Sequence, residues 1–94
     1  MDYTKVLKDV ISIDTSVPPG LNYGKVVDYL QPLFEELGFE TRKIYIPEEY
    51  AEGRKGRVNL ICHRRERGKP RLIFYGHIDV VPAEGWDAFH PRVA

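Results

Sequence analysis

The residues best suited to chemistry in this chain lie together in Gly76-His77-Ile78-Asp79, within the run Arg71 to Pro82 (Arg-Leu-Ile-Phe-Tyr-Gly-His-Ile-Asp-Val-Val-Pro). On extended chain, residues two apart point to the same side, so the imidazole and the carboxylate share a face. A neutral imidazole binds zinc through one nitrogen, and its other nitrogen is commonly held by a carboxylate that fixes the tautomer and raises the ligand's basicity. His77 suits the ligand's place and Asp79 the carboxylate's. Gly76 lacks a Cβ, which leaves room for another backbone or an ion to approach. The spacing by itself serves two arrangements equally: a metal ligand with its carboxylate, or a metal-free His–Asp hydrogen bond in a buried site. Ile78, Val80 and Val81 predict dry surroundings, where an unpaired polar group costs several kcal/mol.

Positioning that pair falls to the preceding apolar residues. Leu72 to Tyr75, bounded by Pro70 and Gly76, predict a short strand buried on both faces inside a sheet. Upstream, Tyr3, Val6, Leu7, Val10 and Ile11 recur at helical spacing, giving an amphipathic helix over 3–13 with Asp2 as its cap. Asp14 to Gly20 is a loop, because Pro18 and Pro19 cannot continue a helix. Thr15 and Ser16 there read as loop hydrogen-bonding residues, with no His or Cys nearby to make either a nucleophile. A second helix is expected over 23–37, capped by Asn22, with Val26, Val27, Leu30, Leu33, Phe34 and Leu37 on one face and Gly38 stopping it. Pro32 and Asp28 both fall opposite that face, so water can satisfy the carbonyl that the proline frees. Strands follow over 39–46 and 58–63, joined by a charged, glycine-bearing loop. Cys62 reads as core filler. The basic stretch Arg64 to Pro70 reads as a solvated turn, since no stacking aromatics interrupt it.

Gly-His-Ile-Asp-Val-Val-Pro at 76–82, preceded by Leu-Ile-Phe-Tyr and followed by Trp86 and Phe89, closely resembles the first metal-binding motif of the zinc amidohydrolases. That is the family of aminoacylase, carboxypeptidase G, acetylornithine deacetylase and succinyl-diaminopimelate desuccinylase. Asp14-Thr15-Ser16, the segment ending Leu33-Phe34-Glu35-Glu36-Leu37-Gly38-Phe39, and Val58-Asn59-Leu60-Ile61 resemble the family's N-terminal region in the expected order. The resemblance implies that His77 is a metal ligand and that Asp79 orients it as an active-site residue. It implies two zinc ions, or cobalt in their place, that activate a shared water for attack on an amide carbonyl, with a Glu shuttling protons. The substrate implied is an N-acyl amino acid or small peptide. The family continues into a Gly-Arg-Gly stretch with a bridging Asp, a Glu-Glu pair and further ligands, whereas this sequence stops at Ala94. Around Trp86, Asp87-Ala88-Phe89 replaces the usual Asp-Pro-Phe.

The element order, helix, helix, strand, strand, strand, suggests one edge and one covering layer of an α/β sheet. The resemblance implies a three-layer α/β/α zinc-exopeptidase-like domain on a mixed sheet, with residues 1–94 as the N-terminal, metal-binding portion of its catalytic domain. Composition agrees with a globular piece: 43% hydrophobic and 12% aromatic residues argue against disorder, and 14 basic against 14 acidic side chains favour no polyanion such as nucleic acid. One cysteine makes no internal disulfide, and no apolar stretch is long enough for a membrane or a secretory leader, so the expectation is a cytoplasmic protein. Three functional expectations compete. The chain is the opening part of an amidohydrolase, inactive alone; or a non-catalytic remnant or subunit that assembles with a separate chain; or a small metal-binding or interaction module using His63, His77, Asp79 and His90. The histidine spacings suit the last poorly. A homo-oligomer, or association with the missing portion of the domain, is the partner expected.

Overall fold

The structure is a computed structural model that describes residues 2–17, 19–53, 55–64, 68–69 and 72–92. Two helices precede a β-hairpin: α1 (Tyr3–Ile11), α2 (Tyr23–Glu36), β1 (Glu40–Tyr45), a single 3-10 turn (Glu48–Tyr50) and β2 (Val58–His63). Both helices and both strands lie where the periodicity puts them, β2 with the expected bounds and the other three shorter by one or two residues at an end.

Local chemistry sets the boundaries. Asp2 caps α1, its carboxylate accepting from the Lys5 amide at 3.1 Å. Asn22 precedes α2 but does not cap it through its side chain: its backbone is left-handed (φ 67°) and its amide instead donates to the Asp14 carbonyl at 2.7 Å. Pro32 is accommodated inside α2, exposed like Asp28. The helix ends in a Schellman motif, in which Gly38 at φ +87° donates to Glu35 O at 3.0 Å and Phe39 donates to Phe34 O at 3.0 Å. Its accompanying apolar contact is the edge-to-face pair Phe34–Phe39, with ring centroids 5.4 Å apart.

β1 and β2 pair antiparallel, from Glu40 opposite His63 to Tyr45 opposite Val58. β2 alternates as its sequence requires: Val58, Leu60 and Cys62 turn inward, while Asn59, Ile61 and His63 face solvent. The core lies where α2 crosses this hairpin. Tyr23, Val27 and Val58 form its centre, Val26 is fully buried beside them on α2, and Val17, Leu60 and Ile78 pack against the edge. The Arg57 guanidinium sits 4.7 Å above the Tyr23 ring, a cation–π contact at the hairpin's base. No helix among the described residues is long and apolar enough to cross a membrane.

The expected central strand is the main correction. Leu72, Ile73, Phe74 and Tyr75 pair with no strand and are 78 to 94% exposed. A strand buried on both faces needs flanking strands and a layer on each side, and the described residues supply one two-stranded sheet and one covering helix. Arg65, Glu66 and Arg67 of the expected basic turn, together with Pro70 and Arg71, lie outside the described residues. The apolar stripe of α1 is also open, with Tyr3 and Leu7 mainly exposed.

The accessible surface is 7994 Å², against about 5,600 Å² for a compact monomer of this mass. That excess on one chain is larger than the ~800 Å² per partner of a standard interface and falls in the range of obligate ones. The 94-residue chain by itself should therefore enhance the fluorescence of a hydrophobic dye and elute above monomer size at high concentration. A monodisperse monomer with no dye response would contradict this packing.

Candidate functional site

The segment carrying the candidate residues is tied to the loop after α1. Ser16 and Val80 form a parallel bridge: the Val17 amide donates to Val80 O at 2.8 Å, and the Val80 amide donates to Thr15 O at 3.3 Å. The Thr15 hydroxyl donates to the Ile78 carbonyl. Thr15 and Ser16 are 3% and 8% exposed, so these bonds satisfy groups that water cannot reach. Asp14 shapes the loop from outside, its Oδ1 accepting the Ser16 amide at 2.9 Å and the Ser16 hydroxyl at 2.6 Å. Gly20 closes it at φ +76°, where a Cβ would lie 2.5 Å from the Arg57 guanidinium.

This tether decides where His77 and Asp79 point. Ile78 turns inward against the Tyr23–Val27–Val58 cluster, so its two neighbours turn outward together. His77 Nδ1 lies 3.0 Å from both the carboxylate Oδ1 and the carbonyl O of Asp79. Both partners only accept, so Nδ1 carries a proton, and in the neutral ring the lone pair is on Nε2. The surroundings are wetter than the sequence suggests. The His77 and Asp79 side chains are 73% and 53% exposed, and Val81 is exposed beside them. Leu72 to Tyr75, which precede the pair, are themselves exposed and give it no dry surroundings.

A bare, outward Nε2 beside an anchored Nδ1 is the donor set of one metal ligand. It is not a closed site, since no group of three or more His, Cys, Asp or Glu side chains converges among the described residues. The other histidines are held elsewhere by their own carboxylates: His63 Nε2 lies 3.0 Å from Glu40 across the hairpin, and His90 bonds Asp87. The structure thus brings His77 and Asp79 together and leaves His63 and His90 apart from them. Cys62 is half-buried, and burial, with the Glu35 charge in second place, pushes its thiol pKa up, as suits a filler rather than a nucleophile. Thr15 and Ser16 are what sequence reasoning underrated; the signal was present in Asp14-Thr15-Ser16, but its partner lies 63 residues away from Thr15.

The Asp14 carboxyl is held below its ordinary 3.8, first by the Ser16 hydroxyl and then by the Ser16 amide, with burial opposing weakly. A depressed folded pKa stabilises the loop above 3.8 and loses that contribution as pH falls through the lowered value. The Ser16 amide proton shift should therefore titrate with a midpoint below 3.8. A Ser16 midpoint at or above 3.8 would show that this loop is not held by the ionised Asp14.

No family model matches the chain, and no solved structure matches it. Curated proteins do. The chain is 32% identical over 89 residues to the succinyl-diaminopimelate desuccinylase of Rickettsia typhi, covering 94% of the chain and 21% of that protein. It is 33% identical over 89 residues to the one of Rickettsia canadensis, with the same coverage. For Orientia tsutsugamushi (strain Boryong) the identity is 33% over 79 residues, covering 84% of the chain and 18% of the relative. The chain spans about a fifth of the length of the curated relatives it matches. Over nearly its whole length, then, this chain is a distant homologue of part of the succinyl-diaminopimelate desuccinylases.

Proposed function

We propose that this chain is the segment of a zinc-dependent amidohydrolase that supplies one metal ligand, His77, and its orienting carboxylate, Asp79. The reaction is hydrolysis of the amide of an N-acyl amino acid or small peptide, of the kind named by its desuccinylase relatives. Residues 1–94 form the N-terminal portion of the catalytic domain in this reading, and the further polypeptide that completes the site also covers the open apolar surface. The observation that carries it is the outward Nε2 of His77 with Nδ1 anchored on Asp79, in a chain matched over 94% of its length to desuccinylases.

Within that reading the residues divide the work. Asp79 accepts a hydrogen bond from Nδ1–H and so fixes the tautomer in which the neutral ring offers Nε2 to a ligand position. Ile78, seated in the core, fixes the direction in which both neighbours face. Zinc, or cobalt, supplies Lewis-acid activation of water and of the amide carbonyl when bound. A catalytic zinc takes about three protein ligands, so the remaining ligands and the general base come from outside the described residues.

The chain alone should accordingly hydrolyse no N-acyl amino acid. In the complete enzyme, His77→Ala should remove one metal ion, while Asp79→Asn should weaken metal affinity by about 10- to 100-fold, because the imidazole keeps its contact but loses its anionic partner. Metal analysis and zinc titration, alongside unfolding midpoints, check both. Full occupancy in His77→Ala overturns the ligand assignment, and a purely thermal defect in Asp79→Asn overturns the orienting role.

A further inference from the structure

We propose that Thr15 is a positioning residue for the His77–Asp79 pair, acting through the Ile78 carbonyl; this rests on the reading of His77 and Asp79 given above. Thr15 touches neither side chain. It grips the peptide between them: its hydroxyl donates to Ile78 O, and its own carbonyl accepts the Val80 amide at 3.3 Å. Val17 closes the ladder by donating to Val80 O at 2.8 Å. One buried residue therefore binds the chain on both sides of Asp79, the acceptor for His77.

The His77–Asp79 contact needs such a grip. It joins residues two apart on an exposed segment outside any sheet, with Gly76 next to it and open space around that glycine. Local bonds of this kind compete with water and with other backbone conformations. Among the described residues, the hydrogen bonds that tie residues 76–81 to the body of the protein run to Thr15 and Val17. The Ile78 side chain adds an apolar anchor, but an apolar contact sets no torsion, whereas the two Thr15 bonds fix the peptide planes on either side of the Asp79 Cα. Serine at position 15 retains the hydroxyl; valine retains the shape and removes the donor.

The test uses the chain as it stands, labelled with 15N, and reads the His77 ring nitrogens by long-range 1H–15N correlation at fixed neutral pH. Wild type should show Nδ1 protonated. Thr15→Val should shift the tautomer ratio of His77 away from the Nδ1–H form by roughly three- to tenfold, the factor that goes with one hydrogen bond, and Thr15→Ser should restore it. The amide signals of Val26 and Val27 must stay in place, which separates lost positioning from lost fold. An unchanged His77 ratio in folded Thr15→Val overturns the proposal. Should Thr15→Val fail to fold, a urea titration of the wild type decides: the His77 ring shift must be lost together with protection of the Val80 amide, and its survival after that protection has gone overturns the proposal. Either result is independent of metal, so a correct tautomer response with no effect of His77→Ala on metal content would sink the ligand reading alone.

Discussion

One helix laid across one hairpin is the constraint on which everything else here depends. The buried residues of α2 and β2 form a cluster of Tyr23, Val27 and Val58, and α2 also buries Val26. Ordering the backbone costs about 1 to 2 kcal/mol per residue, and a cluster of that size can offset the cost only for the chain packed directly on it. The segments that touch it are well placed: Val17 from one loop and Ile78 from another. Those that do not touch it, α1's outer stripe and Leu72 to Tyr75, keep their apolar side chains in water.

The same cluster reaches the candidate site. Ile78 is the inward residue of an otherwise outward segment, and its burial sends His77 and Asp79 to one side, where they meet. The loop bonds from Thr15 and Val17 hold the backbone at that place. Core, tether and site are therefore one continuous structure, from the Tyr23 ring to the Nε2 lone pair. Among the described residues, no third His, Cys, Asp or Glu side chain joins the pair.

How much of this could be read from residue order depended on how far apart the partners lie. Helix α2, its tolerance of Pro32 and its stop at Gly38 follow from residues within one or two turns of each other, as do the alternating faces of β2. The pairing of His77 with Asp79 was legible for the same reason, since both sit on one short stretch. Leu72 to Tyr75 was misread because burial of an apolar run depends on strands and layers elsewhere, which periodicity cannot report. The Thr15–Ile78 bond was missed because a single contact across 63 residues leaves no pattern in sequence. Asn22 stood at the right place for a cap, yet its side chain was claimed by Asp14 in the preceding loop.

The proposed reading turns on one atom, the Nε2 of His77, whose ring is anchored at Nδ1 by Asp79. The most direct measurement is anomalous diffraction at the zinc edge from crystals of the complete zinc-loaded enzyme. The expected result is a zinc peak at about 2.0 to 2.1 Å from His77 Nε2, with Nδ1 still bonded to Asp79. Zinc bound in full at ligands that exclude His77 would contradict the assignment.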